Sequence, residues 1–247
     1  MRHQNGQRDL VNERYLQKMG SSELPDNASR LQNGRPAVSE DFILRGLPRL
    51  ASKVHSLWLK TMYPFAAFGK GVSIPGSCQI SRSMASEISV GDDVTLGRDV
   101  WLNVAPGSES SEAKIVLGSG CEIGRRSTIS ARNRIFLEAD VLLAPSVLIM
   151  DHSHEFSDVE IPIRHQGVTR GGRIFIQRNC WLGHGAVIVC NHGELTIGRN
   201  SVVGANAVVT RSFPAFSVIA GNPAILIRTY DRQTGTWMKS EAACKQR

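Results

Sequence analysis

Two histidines one residue apart, His152 and His154, lie in the run D-H-S-H-E-F, Asp151–Phe156. A neutral imidazole suits a general base near pH 7, and an H-x-H pair can alternatively clasp a cation. On an extended segment both rings fall on the same side, so either could serve one reaction. Asp151, Glu155 and Asp158 could orient a ring nitrogen, and the sequence does not choose among them. An isolated H-x-H is ordinarily a solvated loop pair or an adventitious metal site. Its place in the chain raises this one above that.

That place is defined by a repeat. From Phe68 an aliphatic or aromatic residue recurs every sixth position: Phe68, Ile74, Ile80; Val90, Leu96, Leu102; Leu117, Ile123, Ile129; Leu137, Leu143, Ile149; Ile176, Leu182, Ile188; Ile197, Val203, Val209. Steps within each triplet are six; between triplets they are ten, fifteen, eight, twenty-seven and nine. Extra residues therefore enter only after each third hexapeptide. Three short strands make one triangular coil, coils stack into a parallel β-solenoid, and every insertion leaves from one corner. His154 follows Ile149 by five positions, where the chain leaves that corner into the longest insertion, residues 151–175.

Two further columns support the frame. Glycine follows the aliphatic at eight of the eighteen positions (Gly69, Gly91, Gly97, Gly118, Gly124, Gly183, Gly198, Gly204), which we read as a requirement of the bends. Four residues after the aliphatic, the first two hexapeptides of each triplet carry only small or β-branched residues, such as Val94, Cys121, Ser127 and Ala186.

Composition narrows the classes. The 247 residues hold 41% hydrophobic but only 6% aromatic side chains and 23 glycines, an aliphatic core with many bends. Five cysteines without a C-x-x-C pair suggest neither a disulfide framework nor a zinc knuckle, and a reducing, cytoplasmic setting is expected. The first ten residues lack an apolar leader core and no window is apolar enough to span a bilayer, so secretion and membrane spanning are not expected. The net charge of +7 resides in the arms: residues 67–229 hold fifteen Lys/Arg against fourteen Asp/Glu. A nearly neutral body excludes a nucleic-acid binder, which needs a basic face.

The hexapeptide pattern, with the runs N-C-W-L-G-H (Asn179–His184), V-V-G-A-N-A-V-V-T-R (Val202–Arg211) and S-V-I-A-G-N-P-A (Ser217–Ala224), resembles the hexapeptide-repeat, left-handed parallel β-helix acyltransferases over residues 68–229. Within them it is most similar to the sugar and polysaccharide O-acetyltransferases, of the maltose, galactoside, capsule or colanic-acid type. The resemblance implies an all-β solenoid of about six coils, a homotrimer, acetyl-CoA as acyl donor and a saccharide or sugar-nucleotide acceptor. It implies His154 as the base of direct acetyl transfer, with His152 the second choice. It also implies Trp181, Ala205, Thr210, Arg211 and Arg228 as coenzyme A contacts and Asn103 as an acceptor contact. His184 stands where relatives carry a small residue, and either narrows the cofactor channel or adds a polar contact.

Outside the repeat, residues 1–40 read as a polar tail, 41–67 as an amphipathic helical cap, and 230–247 as a short C-terminal extension; corner loops are expected at 103–116 and 151–175. The stripe Leu47, Leu50, Val54, Leu57, Trp58, flanked by Arg45, Arg49, Lys53 and Lys60, has two readings: a helix closing the first coil, or peripheral membrane association through residues 41–64 at the inner face of the membrane. Three function classes stand: the O-acetyltransferase, with N-acetylation of an amino or nucleotide sugar as a variant; a γ-carbonic anhydrase-like metalloenzyme; and an inactive scaffold. The anhydrase reading suffers because His152, His154, His184 and His192 lack that family's ligand spacing.

Overall fold

A chain that must bury one side chain every six residues has room for a short strand and a bend in each repeat. The computed structural model, which describes residues 47–106 and 112–240, shows that arrangement. Strands of two to four residues form three parallel sheets, one per side of a triangle. The interior residues stack in register. Phe68, Val90, Leu117, Leu137, Ile176 and Ile197 align down the first face. Leu96, Ile123, Leu143, Leu182 and Val203 align down the second, and Ile80, Leu102, Ile129, Ile149, Ile188 and Val209 down the third. All are buried except Phe68 and Ile80, which are only partly buried in the first coil. Each fully buried aliphatic contributes about 1.5–3 kcal/mol, so the stack is the principal source of stability.

The corners differ in kind. Where the first face meets the second, and the second meets the third, a residue three places after the interior aliphatic takes positive φ: Asp93, Asp99, Gly120, Arg126, Asp140, Ser146, Asn179, Gly185, Asn200 and Asn206. The amides of these residues donate along the stack to the coil before, as in Gly120 to Asp92 at 2.9 Å, Asp140 to Ser119 at 2.9 Å, Ser146 to Arg125 at 2.9 Å and Asn206 to His184 at 2.8 Å. The corner from the third face to the first carries the insertions, including 151–172 between strands Leu148–Met150 and Arg173–Ile176.

The structure corrects the reading of the glycine column. None of its eight members has positive φ. At seven of them a Cβ would instead strike the next coil's backbone, as at 2.4 Å from Ala144 C for Gly124 and 2.1 Å from Ala215 N for Gly198. Glycine allows the coils to approach; Asp, Asn and other glycines make the turn.

Helix α1 (Leu47–Met62) lies against the first coil, and the expected tail 1–40 lies outside the described residues. Its contact face is polar: Ile74 N–H donates to Ser56 Oγ at 2.7 Å, His55 Nδ1 is 3.0 Å from Ile74 O, and Lys53 Nζ donates to Gly71 O. These bonds satisfy strand-edge groups that the first coil would otherwise leave open. At the far end, strand Ser217–Ala220 joins the second sheet parallel to Val202–Val203, and strands Ile225–Asp231 and Thr236–Lys239 then continue it antiparallel.

Candidate active site

The longest insertion begins at Asp151, which is fully buried. Its Oδ1 accepts the backbone N–H of Arg132 at 2.7 Å, and its Oδ2 accepts those of Asn133 at 2.8 Å and Arg134 at 2.9 Å. One carboxylate thus closes the corner of the preceding coil, which is why an acidic residue occupies the last position before the loop. Oδ1 also lies 3.0 Å from His152 Nδ1. A carboxylate only accepts, so Nδ1 carries a proton, and in the neutral ring the lone pair is on Nε2.

The loop returns on itself as a two-stranded stem. Thr169 N–H donates to Ser153 O at 2.8 Å, Glu155 N–H to Gly167 O at 3.1 Å, and His154 is bridged antiparallel to Val168. His152 is buried at 7% exposure, whereas His154 is exposed. Among the described residues the His154 ring makes no hydrogen bond. Glu155 Oε1 accepts Phe156 and Ser157 N–H groups, and Asp158 Oδ1 accepts Glu160 N–H. Of the three carboxylates left open by sequence, Asp151 is therefore the one that orients a ring, and the ring is that of His152.

The remaining predicted residues fall into two groups. Thr210 and Arg211 emerge from the last third-face strand at the insertion corner, with the Arg211 guanidinium 5.2 Å from the Phe213 ring centre. Asn103 lies on the third face, where its Nδ2 donates to Ser130 Oγ at 2.9 Å. Trp181 points outward from the second face at 49% exposure, in a column with Leu142 and Val202. Arg228 belongs to the same sheet, opposite Val218. His184 and Ala205 are both exposed and occupy successive coils at the corner between the second and third faces. The two groups are thus separated by one side of the triangle, and a single chain does not bring them together.

Sequence reasoning missed a cavity of about 770 Å³ at the foot of the insertion, lined by Asn133, Arg134, Gly172, Arg173, Phe175 and Glu194 among others. Arg134 lies over Phe136 and pairs with Glu112. Neither His152 nor His154 lines it. Register alone could have found it, because Arg134, Arg173 and Glu194 are direct neighbours across the first sheet. Among the described residues no three His, Cys, Asp or Glu side chains gather as a metal cage would require.

No family model matches the sequence. A protein of Mycobacterium tuberculosis named a probable acetyltransferase is 30% identical over 174 residues, 70% of this chain and 52% of its own length. The galactoside O-acetyltransferase of Escherichia coli is 33% identical over 134 residues, 54% of this chain and 63% of its own. The chain spans about half of the first of these curated relatives and under two thirds of the second. Among solved structures, AntD, an N-acyltransferase from Bacillus cereus in complex with dTDP and 3-hydroxybutyryl-CoA, superposes with a TM-score of 0.58 over 72% of this chain and 89% of AntD, at 20% identity. Coil register and the superposition on AntD agree on the fold, a left-handed parallel β-helix, and the curated proteins to which this chain is similar are named as acetyltransferases.

Proposed function

We propose that the chain is an acetyl-CoA-dependent acetyltransferase whose acceptor is a saccharide hydroxyl, working by direct transfer. The observation that carries this reading is the exposed His154 beside the Asp151–His152 pair, at the one corner where coils open. The thioester supplies the acyl group. His154 takes the acceptor's proton as its oxygen attacks the acyl carbon, and returns that proton to the sulfur as the C–S bond breaks. Thr210 and Arg211 at the insertion corner, with Trp181, His184, Ala205 and Arg228 across the third face, hold the donor; guanidinium groups suit its phosphates. Asn103 contacts the acceptor. The galactoside O-acetyltransferase relative supports transfer to oxygen.

The division of these residues between two edges supports a homotrimer in which one copy's histidine corner faces its neighbour's Trp181 edge. Thiol release from acetyl-CoA across a panel of mono- and oligosaccharides tests the reading. Acceptor-dependent release with an ester product is expected. An amide product would move the reaction to nitrogen, and failure to bind coenzyme A would overturn it.

A second reading is favoured by the orientation of His152: its Nε2 lone pair is the one fixed by a carboxylate, which is the arrangement of an oriented base. It requires the shielded ring to become accessible when the acceptor binds.

A further inference from the structure

An amphipathic helix on a folded body ordinarily turns its apolar stripe inward. Helix α1 does the reverse. Ser56 is 3% exposed against the first coil, and Leu59 is the only large aliphatic the helix buries. Leu47, Leu50, Val54, Leu57, Trp58 and Met62 are between 45% and 66% exposed. At 3.6 residues per turn these six cover an arc of about 140° on the face away from the coil. The inversion has a physical cause: the end of the solenoid offers open backbone groups at Gly71 and Ile74, which Lys53, His55 and Ser56 satisfy and an aliphatic stripe could not.

We propose that this outward face docks on an anionic lipid bilayer surface, lying in the headgroup plane. Three observations choose that occupant. The helix contains Arg49, Lys53 and Lys60 and no acidic residue, and Lys70 of the first coil lies in the same concavity as Lys53 and Lys60. Apolar residues beside a cationic flank are the composition of interfacial helices. Trp58, braced by His55 at 5.7 Å and Tyr63 at 5.5 Å between ring centres, places an indole within the stripe, and such rings favour the bilayer interface. Two copies meeting face to face would bring these cations together with no acid on either helix. At sixteen residues the helix is too short to span the membrane.

The proposal does not depend on the acyl-transfer reading, because its test measures binding. Full-length protein is sedimented with vesicles of phosphatidylcholine alone and of phosphatidylcholine with one quarter phosphatidylglycerol. Binding to the anionic vesicles is expected, weakened by raised salt. Leu50→Glu/Leu57→Glu should reduce it at least tenfold while leaving the melting temperature unchanged, since both side chains are exposed. Equal binding by wild type and variant would overturn the proposal, as would no binding to anionic vesicles. If the variant instead dissociates an oligomer and wild type ignores vesicles, a second copy covers the face. If vesicle binding emerges only after removal of residues 1–40, the chain's own arm covers it, and the proposal fails likewise.

Discussion

Asp151 Oδ1 lies 3.0 Å from His152 Nδ1 while the same carboxylate accepts three backbone N–H groups from residues 132–134. A single side chain thereby fixes a corner of the solenoid and one imidazole. Asp151→Asn turns an amide N–H₂ toward some of those donors and should lower stability by about 2–4 kcal/mol, measured by urea unfolding. An unchanged midpoint would mean that the corner is held by other contacts.

His154→Ala should slow turnover by roughly 10²–10⁴ while leaving coenzyme A affinity near wild type, and His152→Ala should be milder. Single-turnover kinetics alongside calorimetry separates the two effects. The reverse ranking would assign the base to His152; two active variants would place catalysis elsewhere.

Arg211 is exposed at the insertion corner, with its guanidinium supported by Phe213. Arg211→Ala should weaken coenzyme A binding by about 1–3 kcal/mol if it holds a phosphate, and Arg211→Lys should recover only part of that. An unaltered dissociation constant in calorimetry removes it from the donor site.

Burial pushes the thiols of Cys121 and Cys180 up to about 11, helped by nearby Asp140 and Glu138 respectively and opposed by backbone N–H groups. An unfolded chain sheds those protons near pH 8.5, so above that value the unfolded state is favoured. Stability should fall from about pH 8.5 to 11, by up to about 1.4 kcal/mol per pH unit for each thiol. Replacing both with valine should make the alkaline limb of a melting-temperature profile shallower, with Cys78, which burial also pushes up to about 11, keeping its share; an unchanged slope would show that other groups titrate there.

Two substitutions on adjacent turns separate crowding from backbone strain. Gly124→Ala meets Ala144 backbone atoms at 2.4 Å and should cost about 1–3 kcal/mol. Ser146→Gly, at φ 62, relieves a left-handed serine and should gain about 0.5–1 kcal/mol. Thermal melts check both, and destabilisation by the second would refute the strain argument.

The coil geometry was legible because a six-residue period admits one register, and Val90 over Leu117 over Leu137 follows from counting. Glycine was misread because composition does not distinguish a position that needs positive φ from one that needs no Cβ: Gly120 is the first kind, Gly118 the second. The α1 stripe was visible, but not its direction, which depends on backbone groups at Ile74 that only the stacked coils leave open. Asp151 could not be chosen over Glu155 because its partners, residues 132–134, are nearly twenty positions away.

The amide ladders at two corners give the molecule unequal compliance. Along those edges the positive-φ residue of each coil donates to the coil before it, so slow hydrogen exchange should recur at these residues down the stack, and neither edge can hinge without breaking bonds in series. The insertion corner is interrupted by segments of different length and forms a seam, along which the loops can move or lengthen singly while the interior keeps its register. Asp151 and His152 are rooted in that seam, where the Asp151 carboxylate ties one coil to the next, and His154, the proposed base, stands beyond the tie on the loop itself.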